Sequence, residues 1–226
     1  MSRGSGAQRS ASVVSAGVLL GLAVGVFGVS FGLIAVTAGL SPAKASAMSL
    51  LVFTGASQFA AVGVVGAGGS PATAIASALF LGARNAAYGL TMAPVLEGRL
   101  PKRLLAAQLV IDESTALAMA QSNNRERQRG FWAAGVSIYV FWNIGTVIGA
   151  LGGQLIGKPE TWGLDAAFPA AFVALLIPHL RKVGGKQTAL LGAALAIALT
   201  PILPPGIPIL VAAVASVLGL RRRTTP

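Results

Sequence analysis

Four long stretches of this chain carry no charged residue: Arg9 to Lys44, Lys44 to Arg84, Arg129 to Lys158, and Lys186 to Arg221. Each is predominantly apolar and exceeds the roughly 18 residues that a helix needs to cross a hydrocarbon core. A soluble chain of 226 residues could not hide four such stretches, because most of its surface would then be apolar. Only 10% of the residues are charged, against roughly 25% in ordinary soluble domains. The apolar runs are continuous and do not alternate at period two. Lipid admits helices or closed barrels, since every backbone N–H and C=O needs an internal partner, and continuity selects helices. The pattern predicts an all-α polytopic membrane helix bundle with about seven or eight transmembrane or re-entrant segments, some of them broken.

Turn residues divide the chain. A basic tail over 1–12 is expected on the cytoplasmic side, followed by one transmembrane domain over 13–220 and a basic tail over 221–226. Val13–Ala38 is too long for the apolar core of a cleaved signal and reads as a retained first span. Pro42 suits a helix start, and Ala45–Gly66 reads as a second span. The Gly66-Ala-Gly-Gly-Ser-Pro71 cluster is a turn, and Ala72–Leu96 a third span. Leu104–Gln121 is a short fourth segment, Gly130–Gly157 a fifth and Leu164–Leu180 a sixth. Gln187–Leu199 and Ile207–Leu220 are separated by prolines and read as a hairpin, which places Arg181–Lys186 and Arg221–Arg223 on one side. With every segment crossing, Arg99, Lys102 and Arg103 fall opposite Arg125, Arg127 and Arg129, against the positive-inside rule. They rejoin that side if the fourth segment, or an earlier one, is re-entrant. Trp132 and Trp162 fit the interfacial belts.

Several function classes are excluded by composition. The net charge of +11 resides in short loops between apolar runs, not along an aromatic-studded soluble face, so nucleic acid is not the expected partner. The absence of cysteine removes disulfides, thiolate metal ligation and cysteine nucleophiles together. No zinc-protease helix, nucleophile elbow or phosphate loop is present, so no catalytic residue is assigned. With four methionines and one histidine, no metal site and no cofactor are expected.

Polar residues inside apolar runs are the functional candidates. Gly17, Gly21, Gly25, Gly28 and Gly32 fall on one face of the first span, and Gly145, Gly149 and Gly152 on one face of the fifth, as close helix packing requires. Thr54, Gly55, Ser57 and Gln58 place hydroxyls, a helix-weakening glycine and an amide near mid-membrane, where a broken helix can hold a zwitterion. The other reading has these side chains bonding back to their own or a neighbouring helix. Arg84 lies deep inside the third span and needs a partner or a water-filled cavity. Asp112 and Glu113 are the carboxylates best placed to pair with it. Helical spacing puts Gln108, Asp112 and Thr115 on one face, so Asp112 is expected to line the polar path while Glu113 reaches Arg84. Two adjacent carboxylates at low dielectric also suit a carrier of coupling protons. Tyr88 and Thr91 continue the Arg84 stripe. Asn143 is a further polar candidate, Asp165 reads as a helix cap, and His179 as an interfacial residue without a role.

These residues resemble a known family. Gly28-Val-Ser-Phe-Gly32, Ala38-Gly-Leu-Ser41, Phe53-Thr-Gly-Ala-Ser-Gln-Phe-Ala60, Ala83-Arg84-Asn85, Tyr88-Gly89, Asp112-Glu-Ser114 and Phe168-Pro-Ala170 are similar to the AzlC-type branched-chain amino acid permeases. The likeness runs over roughly residues 15–220. It implies the large subunit of a two-component exporter of leucine, isoleucine and valine; separately, with no barrel pattern and no organelle transit segment in the sequence, a bacterial inner (plasma) membrane is the expected compartment. The likeness also implies a small AzlD-type membrane partner and use of the proton-motive force. Many relatives carry Arg-His where this chain has Arg84-Asn85, which moves any proton-carrying role onto Asp112 or Glu113. Single-chain composition leaves open a second reading, a non-catalytic assembly subunit whose partner carries the transport site.

Overall fold

In the computed structural model, residues 3–155 and 183–213 are described, together with 173, 176, 177, 180 and 181. All regular elements among them are helices. They are α1 (Arg3–Thr37), α2 (Pro42–Leu51), α3 (Ala56–Gly66), α4 (Pro71–Gly82), α5 (Arg84–Met92), α6 (Leu100–Gln108), α7 (Asp112–Met119), α8 (Asn124–Leu155), α9 (Gly185–Leu199) and α10 (Ile207–Ala212).

Two long helices set the frame. Ser12–Thr37 of α1 and Asn124–Gly153 of α8 run 26 and 30 residues with apolar sequence. At about 1.5 Å per residue both exceed the roughly 30 Å of a hydrocarbon core. They run parallel, because Gly17 meets Ala133, Gly21 meets Ser137, Gly25 meets Phe141, Gly28 meets Trp142 and Gly32 meets Thr146. A Cβ on Gly17, Gly21 or Gly25 would lie within 2.9 Å of α8 atoms. In the other direction Gly145 meets the backbone of Gly25 and Gly149 that of Val29. The first-span glycine stripe is therefore one side of this seam. Gly152, expected to share it, has nothing within 4 Å among the described residues, and Gly153 meets Leu33 in its place. The end bearing the N-termini of α1 and α8 is called here the near end, and the opposite one the far end.

The second span does not cross. Ser41 caps α2 by accepting a hydrogen bond from the Lys44 N–H at 3.3 Å, and Pro42 opens the helix. From the far end α2 descends along α8, bonding Ser49 Oγ to Thr146 Oγ1 at 3.1 Å. The Tyr139 hydroxyl then donates to Leu50 O at 3.1 Å, and the Phe53 ring meets the Tyr139 ring edge-on at 5.0 Å. The chain reverses over 52–55, where Gly55 takes φ +62, a region open to a residue without Cβ. Then α3 climbs back: Phe59 packs against Phe31 at 5.6 Å, and a Cβ on Gly66 would stand 3.2 Å from Ala38 Cβ. Helices of 10 and 11 residues reach only about half of a hydrocarbon core each. The expectation of a through-going Ala45–Gly66 helix is corrected to a re-entrant hairpin dipping from the far end.

The third span crosses, but it is broken in the middle. Ser70 caps α4 by accepting from Thr73 N at 3.2 Å. Gly82 ends beside Ser57 Oγ, so α4 descends antiparallel to α3. After Ala83 the path continues as α5 and reaches the near end, where Val95 O accepts from Gln128 Nε2 at 2.8 Å.

The fourth segment forms a second hairpin, from the near end. α6 rises until Leu109 lies 3.0 Å from a Cβ built on Gly135. α7 falls back until Leu117 O lies 3.1 Å from a Cβ on Gly130, and Gln121 O accepts from Arg127 Nε at 3.1 Å. Ser114 fastens the turn between them, donating its hydroxyl to Leu109 O at 2.7 Å and accepting from Ile111 N at 3.1 Å. Because the helix stops at Gln108 and restarts at Asp112, the single continuous face drawn through Gln108, Asp112 and Thr115 does not exist.

Two opposed hairpins explain the basic residues. Arg99, Lys102 and Arg103 share the near end with Arg125, Arg127 and Arg129, while Lys44 lies at the far end. The sequence-based placement of the first three opposite the second three is overturned, and the charge asymmetry becomes regular. Beyond α8, the turn before α10 rests on the far end, since a Cβ on Gly206 would stand 2.9 Å from Val64 and 3.0 Å from Thr73. α9 and α10 pack against one another. Most of the expected Leu164–Leu180 span, together with Trp162, Asp165 and His179, and the part of Ile207–Leu220 after 213 lie outside the described residues.

Candidate functional site

The tips of both hairpins, the break between α4 and α5, and the middles of α1 and α8 enclose a cavity of about 170 Å³. Val24 and Phe27 come from α1, Ile138 and Trp142 from α8, Phe53 to Ala56 from the first tip, and Ile111 to Glu113 from the second. Arg84 completes the wall. Val24 is close to the midpoint of the apolar part of α1, so the cavity sits at mid-depth.

Its charge is arranged around helix starts. Arg84 opens α5, and Asp112 and Glu113 open α7. Arg84 Nη1 and Asp112 Oδ2 form an ion pair at 3.0 Å, with the two side chains 36% and 37% exposed, so the pair faces the cavity without being sealed in protein. The expected pairing is thereby exchanged: Asp112, not Glu113, takes Arg84. The cause is the helix break, which rotates Asp112 to the first position of a new helix. Glu113 lines the same cavity with no ion-pair partner among the described residues. The starts of α3, α5 and α7 all bear on this space, and each helix N-terminus carries about half a positive charge. They offset the excess of carboxylate over guanidinium. Arg84 Nε and Trp142 Nε1 are buried without hydrogen-bond partners among the described residues, leaving two donors in the wall.

The other candidates take different places. Thr54 and Gly55 line the cavity, and the Thr54 hydroxyl donates to Val52 O at 3.0 Å. Gln58 is wholly buried and closes the first hairpin, accepting from Gly55 N and donating to Met48 O, each at 3.2 Å. Ser57 is buried beside Gly82, behind the cavity wall, and its hydroxyl has no partner among the described residues. Tyr88 packs one turn below Arg84 against the main core. Asn143 Nδ2 donates to Tyr139 O at 2.7 Å within its own helix. Ser57, Gln58, Tyr88 and Asn143 thus support the site and do not line it. Gln108 has a role the sequence did not disclose: its Nε2 donates to Leu50 O at 2.9 Å, joining the second hairpin to the first. Trp142 was also missed. An indole in mid-span, away from the interfacial belts that tryptophan usually occupies, was the available signal.

The sequence profile of the family described as AzlC protein matches residues 20–156. The chain belongs to the AzlC family. The matched part runs from within α1 to just past α8 and so contains both hairpins and the cavity. The Branched-chain amino acid transport protein AzlC of Bacillus subtilis (strain 168) is 26% identical over 195 residues, covering 85% of this chain and 76% of that protein. Inner membrane protein YgaZ of Escherichia coli (strain K12) is 31% identical over 196 residues, 81% of this chain and 77% of its own length. An uncharacterized membrane protein of Archaeoglobus fulgidus is 32% identical over 171 residues, 75% and 74% respectively. No solved structure matches the chain. As an AzlC-family protein the chain is a membrane protein of the transport class.

Proposed function

We propose that the mid-depth cavity binds an apolar, branched-chain amino acid as a zwitterion and that the chain is the large subunit of its exporter. The observation that carries this reading is the composition of the wall: one guanidinium, two carboxylates and three helix starts on one side, and Val24, Phe27, Ile138 and Trp142 on the other. The substrate carboxylate is drawn to the backbone N–H groups that open α3 and to Arg84. Its ammonium faces Glu113 and the Arg84–Asp112 pair. The hydrocarbon side chain fills the apolar wall. An engineered apolar cavity of about 150 Å³ accommodates benzene, so 170 Å³ with one open side suits a small aliphatic amino acid.

Transport follows from the opposed hairpins. Withdrawing the α2–α3 tip opens the cavity to the far end, and withdrawing the α6–α7 tip opens it to the near end, with Gln108 and the Arg84–Asp112 pair closing the space in between. The positive-inside rule assigns the basic near end to the cytoplasm of a bacterial inner membrane. Export then loads past α6–α7 and releases past α2–α3, with Asp112 and Glu113 carrying the coupling proton. A small AzlD-type membrane subunit completes the unit.

The test is reconstitution of the full chain in vesicles loaded with labelled leucine, with and without the small subunit, under an imposed pH gradient. Gradient-driven efflux of leucine and valine, but not of aspartate or lysine, is expected. If the pair transports while the large chain alone binds no leucine, the site belongs to the partner and the reading fails.

A further inference from the structure

A second concavity lies at the near end, remote from the transport cavity. It measures about 580 Å³ and is formed where α1, α6 and α8 converge. Its rim carries Lys102, Arg125 and Arg129, and its inner wall carries Val14, Trp132 and Val136. The cations are not equivalent. Arg129 is held by Glu126 at 2.7 Å, which neutralises much of its charge. Lys102 and Arg125 are exposed and have no ion-pair partner among the described residues.

The groove changes character along the helix axes. Its charged edge lies at the first turns of α8, and its apolar wall follows within three further turns toward mid-depth. Trp132 marks the boundary, where an indole ordinarily sits between hydrocarbon and headgroups. A soluble anion would gain from the rim alone and make no use of the apolar wall. A phospholipid satisfies both halves at once, with phosphate at the rim and an acyl chain along Val14 and Val136.

We propose that this groove is a binding site for the headgroup of an anionic phospholipid. Basic pockets between spanning helices are known to hold such headgroups, and charge complementarity selects an anionic one over a zwitterionic one. Lys102 belongs to the second hairpin, whereas Arg125 belongs to the fixed frame. A phosphate bridging them ties the α6 end of that hairpin to α8.

The test uses the purified full chain in detergent, supplied separately with dioleoylphosphatidylglycerol, dioleoylphosphatidylcholine or inorganic phosphate. Retained lipid is read by native mass spectrometry and protein stability by thermal denaturation. Phosphatidylglycerol should be retained and stabilising, and phosphatidylcholine much less so. Each basic side chain at a membrane surface contributes roughly fivefold in affinity, so Lys102→Gln with Arg125→Gln should lower phosphatidylglycerol retention about thirtyfold. Lys44→Gln, at the far end, should leave it unchanged. Equal retention by the doubly substituted chain and the wild type would overturn the assignment. Equal stabilisation by inorganic phosphate would overturn it too, since the groove would then take a small anion and not a lipid.

Discussion

Arg84→Gln is expected to reduce leucine efflux about ten- to a hundredfold. The substitution leaves Asp112 and Glu113 facing an apolar cavity with no cation across from them. The pair is more than a third exposed, so screening moderates the loss of the pair itself, and the larger loss is the charge-assisted hydrogen bond to the substrate carboxylate, about 1.5–3 kcal/mol, or one to two decades in an equilibrium. Folding can be separated from transport by also replacing Asp112. The Arg84→Gln, Asp112→Asn chain has no unpaired charge at that position, so its thermal stability should return close to wild type. Its efflux should not return, because the groups that hold the zwitterion are still missing. Arg84→Lys retains charge but not the forked geometry and should recover transport only partly. If the doubly neutral chain exported leucine normally, the ion pair would be architectural and the proposed binding mode would fall.

Gly149→Ala is expected to be among the most destabilising single-methyl changes in the chain. A Cβ there runs into the carbonyl oxygen of Val29, so α1 and α8 must separate or bend. Backbone cannot yield as a flexible side chain does, and overpacking costs typically about 1–3 kcal/mol, with more where the neighbour is rigid. Gly152→Ala, one turn away on the same helix, is the control. Among the described residues nothing lies within 4 Å of its Cβ position. In a helix interior alanine is better than glycine by about 1 kcal/mol, so this chain should be unchanged or slightly more stable. Thermal denaturation of the two variants side by side reads the difference. Equal behaviour would mean that the two long helices do not meet along this seam.

Much of the architecture was legible before any coordinates. The two long helices follow from unbroken apolar runs without carboxylates or cations, and the glycine spacing on α1 marks its packed face because period and face are linked by helix geometry. Helix starts at Pro42 and Pro71 follow from local chemistry. What apolarity alone could not reveal was direction. A run such as Ala45–Gly66 has the length of a span whether it crosses or folds back, since the hydrophobic signal reports depth and not side. Two features carried the missing information. Gly55 is the position where φ +62 costs no Cβ clash, and the misplaced Arg99 group recorded that an odd number of crossings had been assumed on either side of it. The Arg84 partner was likewise misassigned because helical phase was carried through Leu109–Ile111, where the helix is interrupted. The cavity walls from α1 and α8 gave no polar signal. Val24, Phe27 and Ile138 look like any lipid-facing residues, and only their convergence with the tips distinguishes them.

The central claim is that two helical hairpins enter from opposite ends and meet at mid-depth, and sidedness tests it directly. The chain contains no cysteine, so single cysteines can be introduced without background. Lys44→Cys and Ala67→Cys flank the first hairpin; Arg103→Cys and Ser122→Cys flank the second. Labelling with a membrane-impermeant maleimide in sealed vesicles of known orientation should modify Lys44→Cys and Ala67→Cys from one side, and Arg103→Cys and Ser122→Cys from the other. Labelling of Lys44→Cys and Ala67→Cys from opposite sides would mean that the Ala45–Gly66 segment crosses the membrane, and would contradict the account.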